Sequence, residues 1–215
     1  MLQKIGYDGK FIDKPDSPCY HLPGNTGPDG CAIFYNTNRF VLLKTSHRIL
    51  RVQNVESNQV ALLCHFKCKA SGRVFAVCTT HLKARKSLLL SAVRDEQGLD
   101  LLQFLDKECP STIPFIVTGD FNAEANEPVI RRMRTRMSSA YDDYFPSGFC
   151  PPSNWTQRIG EEETKQTVDY IFYQKEKMSL SSVLDLYSPH LLAPLPNDQY
   201  PSDHLSLAAS FALTS

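Results

Sequence analysis

Six short apolar runs constrain this chain more than any other feature. They are "CAIFY" (31–35), "VALLCHF" (60–66), "VFAVCTTH" (74–81), "IPFIV" (113–117), "VDYIFY" (168–173) and "LSLAASFAL" (205–213). Their lengths and their content of Val, Ile, Phe and Tyr suit strands better than helices. Two stretches between them carry a helical pattern. "SAVRDEQGLDLLQFLDK" (91–107) sets Val93, Leu101, Leu102 and Leu105 on roughly one face, and "EPVIRRMRTRM" (127–137) opens with Pro128, which suits a first helical turn. Regions 12–30 and 142–166 are rich in Gly, Pro and polar residues and read as loops. Strands with interspersed helices imply an α/β domain whose sheets are covered by helices. With 215 residues, 42% of them hydrophobic, and no repeat or linker, one domain with a real core is expected.

The polar residues are not scattered. "CTTHLKAR" ends a strand in His81, Lys83 and Arg85, and "TGDFN" ends another in Asp120 and Asn122. "TKQTVDYIFY" begins one with Asp169, and "NDQYPSDHLSL" puts Asp203 and His204 just before the last. On extended backbone, residues i and i+2 share a face, so Asp120 and Asn122 are expected to converge. Gly-Asp followed by Asn is also good turn chemistry, because both side chains can bond nearby backbone N–H groups. Turn formation explains one such strand end. One shared catalytic or metal site explains all four.

Bulk properties exclude several classes. Lys plus Arg and Asp plus Glu number 23 each, so no global field draws the chain to a polyanion or a membrane. The basic run "RRMRTR" (131–136) fits a nucleic-acid face, but on a helix such runs are more often solvated. Seven cysteines without zinc-type or scaffold-type spacing point to a reducing compartment. The expected location is cytoplasmic, or mitochondrial with an upstream targeting segment. No apolar run approaches the ~18 residues that span a bilayer, so no membrane insertion is expected. No obligate protein partner is evident in the sequence.

Asp and Asn side chains are hard oxygen donors, suited to Mg²⁺ rather than zinc. Carboxylates can also take a proton from water, and a histidine held by a carboxylate can donate to a phosphoryl oxygen. Together these are the needs of phosphoester hydrolysis.

"THL", "GDFN", "TVDYIF" and "SDHLSL" occur here in the order of the endonuclease/exonuclease/phosphatase superfamily, which the chain resembles from about Gly6 to Phe211. "GPDGCAIFY" resembles its deadenylase-like branch, and "FIDKPDSPC" and "THLKAR" narrow the likeness within it. The resemblance implies a four-layer α/β sandwich of two mixed sheets flanked by helices, and Mg²⁺ as cofactor. It implies Asp120 as base for the attacking water and Asn122 as donor to the phosphoryl group. Asp169 would orient His204, His204 would stabilise the transition-state phosphate, and His81 would contact it from the facing strand end. Asp203 would sit near the metal, and Lys14, Lys83, Arg85 and Arg158 would hold a nucleotide's phosphates. The substrate implied is NADP(H), losing its 2′-phosphate. The alternatives are 3′-exonucleolytic shortening of poly(A) RNA and a catalytically impaired fragment that only binds.

The family's metal site also uses the Asn of a "WNIL"-like strand and the Glu of an "LQEV"-like strand. Neither motif occurs in this sequence. The expectation is therefore one domain over 1–215, lacking its first strands and its main metal carboxylate, with weak metal binding as the consequence.

Overall fold

In the computed structural model of the chain, residues 2–25, 27–145, 151–157, 160, 162–186 and 194–214 are described. Strands β1 (Tyr7–Asp13), β2 (Gly30–Asn36), β3 (Phe40–Val52), β4 (Val55–Cys68) and β5 (Val74–His81) come first. Helix α1 (Leu88–Glu108), strand β6 (Phe115–Asp120), helix α2 (Pro128–Arg134), strand β7 (Ser138–Ser139) and helix α3 (Ala140–Tyr144) follow. The chain then runs through β8 (Asn154–Thr156), β9 (Thr164–Gln166), β10 (Asp169–Tyr173), β11 (Met178–Val183) and β12 (Ala209–Leu213).

A mixed six-stranded sheet in the order β3-β4-β5-β6-β10-β7 forms the frame. Only β5 and β6 pair in parallel, and α1 is the crossover that parallel pairing demands. Alternation along the central strands sorts side chains between two cores. Ala61, Leu63, Ala76, Cys78, Phe115, Val117, Tyr170 and Phe172 pack with α1 and α2 on one face. Val60, Leu62, Cys64 and Phe66 point the other way, against the β1–β2 hairpin. Ile171 and Tyr173 point to that second side as well, against β11 and β12. The molecule is thus an α/β sandwich in which two separate two-stranded sheets form the second sheet layer. Among the described residues the outer face of the β1–β2 hairpin is bare, with Phe11 and Phe34 exposed on it.

A cavity of about 510 Å³, lined by Phe40, Phe75, Ile116, Met178 and Phe211 among others, lies against the end of the six-stranded sheet away from the site described below. No helix among the described residues is long and apolar enough to cross a membrane.

Helix α1 starts three residues before the expected Ser91, at Leu88, because Ser87 caps it by accepting a hydrogen bond from the Leu90 N–H at 3.1 Å. The first half of its buried face is polar: Arg94, Gln97 and Asp100 are all buried. Each has its partner, as when Asp100 accepts two bonds from the Arg48 guanidinium and one from the Arg51 N–H. Gly98 lets α2 approach, since a Cβ there would lie 2.6 Å from Val129 Cγ2. Strand β3 and the β11 strand were not expected, and β1 began in a segment with no strand signal. All three are mostly exposed or half-buried, with only Leu50 of β3 and Met178 of β11 buried, and β3 carries two register shifts against β4.

Candidate active site

Strand register brings three of the polar strand ends together. His81 of β5 lies beside Asp120 of β6, and Asp169 of β10 lies beside Asp120 on its other side. Alternation sends all three to the face opposite α1 and α2. Val77, Ile116 and Ile171, each an even number of residues along the same strand and so on the same face, belong to the cores under the hairpins. His204 joins them from the segment before β12, where it forms a bridge to Asn154 of β8.

The resulting contacts are short. His204 Nδ1 is 2.7 Å from Asp169 Oδ2. His204 Nε2 is 3.9 Å from Asp120 Oδ2, and His81 Nε2 is 3.5 Å from the same oxygen. Burial, reinforced by the Asp169 and Asp203 charges, pushes the Asp120 carboxyl up to about 6. The hydrogen bond to Asp169 raises the His204 imidazole to about 9, so it carries a proton at neutral pH. His81 moves the other way: burial lowers its pKa, and the nearby Lys14 charge adds to the effect.

Ser153 was invisible in the sequence and is central here. Fully buried, its Oγ donates to Asp169 Oδ2 at 2.8 Å and accepts the Val168 and Asp169 N–H groups at 3.1 and 3.0 Å. Its carbonyl also accepts the Leu205 N–H at 2.7 Å, which ties the His204 segment to β8. Asn154 Nδ2 donates to the Asp203 carbonyl at 2.9 Å. Nothing in "PPSNW" marks these roles, since every partner is distant in sequence.

Asn122 departs from the expected geometry. Strand β6 ends at Asp120, and Asn122 takes a left-handed φ of 50°. The i, i+2 rule of extended backbone therefore does not apply to it. Its N–H donates to Asp120 Oδ1 at 2.7 Å, and its Nδ2 donates to the Leu82 carbonyl at 3.1 Å. Turn chemistry and site chemistry thus coexist in Asp120, which spends one oxygen on the turn and turns the other to the histidines.

Lys83 and Arg85 are exposed on the loop after β5, and neither has a carboxylate partner among the described residues. Lys14 is nearly buried and paired with Asp29 at 2.6 Å, which Ser17 also grips, so its charge is largely spent within the protein. Arg158 lies outside the described residues. Among the described residues, the group close enough to share a metal ion is Asp120, Asp169 and His204. The expected ligand Asp203 is not in that group; its charge is felt at Asp120 and His204, and its carbonyl is taken by Asn154 and by the Trp155 N–H at 3.1 Å.

Gly119 makes this arrangement feasible. It has a φ of 150°, and a Cβ would lie 2.0 Å from the Thr80 carbonyl oxygen across the β5–β6 pair. Gly119→Ala is expected to cost about 3 kcal/mol or more, at the upper end of overpacking effects. Urea unfolding checks this: a loss under about 1 kcal/mol would mean that the two strands separate freely.

The endonuclease/exonuclease/phosphatase family model matches residues 3–204. The chain belongs to that family. Mouse nocturnin is 41% identical over 99% of this chain, and the match takes in 51% of the mouse protein. A solved structure of the human nocturnin catalytic domain with bound sulfate anion superposes with a TM-score of 0.83 at 40% identity, covering 99% of this chain and 74% of that one. The Ccr4 3′-5′-exoribonuclease subunit of Kluyveromyces lactis is 24% identical over the full chain, and the match takes in 33% of Ccr4. The chain spans about half the length of the mouse and human nocturnins it matches.

Proposed function

We propose that the chain is a magnesium-dependent phosphoester hydrolase that removes the 2′-phosphate of NADP(H). The observation that carries this is the pairing of one free Asp120 oxygen with a protonated His204, beside the two unpaired cations Lys83 and Arg85. Similarity to nocturnin supports the reading, and the sulfate held by the human relative is a phosphate-like anion.

Each group has a task that its environment suits. Asp120 is ionised at neutral pH yet basic enough to accept a proton from an attacking water. His204 donates from Nε2 to a phosphoryl oxygen while Asp169 accepts from Nδ1 and fixes the ring. Ser153 holds Asp169 in turn. Neutral His81 can hydrogen-bond the water or the phosphate from the β5 side.

The donor set fits a hard divalent cation. Asp120, Asp169 and Asp203 crowd one desolvated rim, and their mutual repulsion helps raise the Asp120 pKa. Mg²⁺ is usually held by one or two carboxylates together with substrate phosphates, and Asp120 would serve here, with Asp203 adding its charge from outside the group close enough to share the ion. When bound it would offset charge on the phosphoryl oxygens.

The compact substrate is preferred over RNA because the basic run on α2 is spent. Arg132 pairs with Asp95, Arg134 with Asp142 and Arg136 with Asp106, while Arg131 donates to the Asn126 carbonyl. A poly(A) groove needs a longer track of free cations and stacking faces. The cysteines Cys19, Cys31, Cys64, Cys68, Cys78 and Cys109 are free thiols, in keeping with work in a reducing compartment.

The test is Mg²⁺-dependent phosphate release from NADPH alongside shortening of poly(A). Lys83→Ala should weaken NADPH turnover by about 10–150-fold, the range for a lost charged hydrogen bond. Affinity should fall only shallowly with salt. Unchanged NADPH hydrolysis in Lys83→Ala, or a steep salt dependence with poly(A) preferred, would return the assignment to an exoribonuclease like Ccr4.

A further inference from the structure

Arg94 is the most buried charged side chain described, 1% exposed in the middle of a helix, and the chemistry above makes no use of it. Its contacts all lead to one place. Nη1 donates to the Lys83 carbonyl at 3.0 Å and to the Arg85 carbonyl at 2.9 Å. Nη2 donates to Glu127 Oε2 at 2.6 Å, an oxygen that Ser91 Oγ also reaches at 2.8 Å. Glu127 is the N-cap position of α2. A guanidinium thus spans from the backbone of the cationic loop to the start of the second helix.

We propose that Arg94 is a positioning residue that shapes the loop carrying Lys83 and Arg85 so that their side chains meet the substrate's phosphate. This rests on the hydrolase reading and deepens it by assigning substrate grip to a buried clamp. Arg85 has a φ of 78°, a backbone conformation that side-chain-bearing residues rarely adopt. Such a conformation persists only where the surroundings over-determine it. The surroundings here are the two carbonyls on Arg94, the Lys83 N–H donating to Gln97 Oε1 at 3.1 Å, and Asn122 donating to the Leu82 carbonyl. Gln97 is itself fully buried, and its Nε2 donates to Gln59 Oε1 at 3.0 Å. Three side chains, two from α1 and one from the turn after β6, therefore fix three peptides of one short loop. A lysine could pair with Glu127 but cannot present a planar fork to two carbonyls and a carboxylate together.

The clamp connects the two halves of the site. Asn122 belongs to the turn that Asp120 organises, and it holds the same loop from the other side. Cations that grip phosphate and the carboxylate that acts on it are thereby kept in one frame.

The experiment compares the parent chain, Arg94→Lys and Glu127→Gln by steady-state kinetics on NADPH with Mg²⁺, by binding of 2′-AMP, and by hydrogen exchange. Arg94→Lys should raise KM and the 2′-AMP Kd by about 10-fold, with kcat within about twofold. The Ala84–Ser87 amides should exchange faster while the second half of α1 is unchanged. Glu127→Gln leaves Arg94 in place and should show the same pattern at about threefold, so a poorly folding Arg94 variant does not remove the test. A fall in kcat at constant KM, or unchanged loop exchange in both variants, would overturn the proposal. A parent chain that releases no phosphate would sink the hydrolase reading instead, and loop exchange with 2′-AMP binding would still decide the clamp.

Discussion

Asp120→Asn should lower phosphate release at least about 10³-fold while nucleotide binding stays within about threefold. The replacement is nearly isosteric, and its carbonyl oxygen can still accept the Asn122 N–H that closes the turn. Fold and loop should therefore survive. What disappears is the proton acceptor facing His81 and His204, together with an oxygen ligand for the cation. General-base assistance alone is typically worth about 10²–10⁴ in rate. The same change should make the metal-free protein more resistant to heat at neutral pH. An Asp whose folded pKa is raised is less stable folded than unfolded in its charged form, so removing the charge relieves the fold above the ordinary carboxylate range. A variant that kept a tenth of the parent rate would take the base role away from Asp120.

The parts of this site that the sequence revealed are those where chemistry sits on regular strands. "VFAVCTTH" predicts β5 to its last residue, and the polar ends of β5, β6 and β10 face one another because strand register leaves them little choice. The hidden parts depend on tertiary contacts. Ser153 does its work through β10 and the His204 segment, and no local pattern encodes that. Arg94, Gln97 and Asp100 were hidden for another reason: apolar periodicity reads only apolar faces, and this helix buries polar groups with partners. Leu88 and Leu89, large, apolar and largely exposed, form the first turn of α1 ahead of its buried face. Asn122 was misread because an extended backbone was carried past the end of its strand. Strand β3 was missed because its exposed positions mix Val41 and Leu43 with Lys44, Thr45, His47 and Arg51, and its register shifts break the alternation.

His204 and Asp169 should behave as one unit. His204→Ala and Asp169→Asn are each expected to reduce kcat by about 10²–10³-fold, and the double variant by little more than the worse single. The reason lies in what Asp169 does. Its hydrogen bond is the largest influence raising His204 to about 9 and keeping it charged at neutral pH. An amide at position 169 still fills the space and can still accept from Ser153, but it does not hold a proton on the ring. The imidazole then returns toward its ordinary range near 6.5 and is largely neutral at pH 7.5. Without a protonated His204 there is nothing for Asp169 to orient, so removing both loses the same donor only once. Ser153→Ala should follow in weaker form. It removes one of the two bonds to Asp169 Oδ2 and leaves the Val168 and Asp169 N–H groups without that acceptor, while the carboxylate itself remains. The three variants and the double, assayed on NADPH across pH 6–9, distinguish the alternatives. If Asp169 acts through the ring proton, the Asp169→Asn variant should recover part of its rate as pH falls toward 6, and His204→Ala should not. Losses that multiply in the double variant would mean that Asp169 serves the reaction by a route of its own, such as holding the cation.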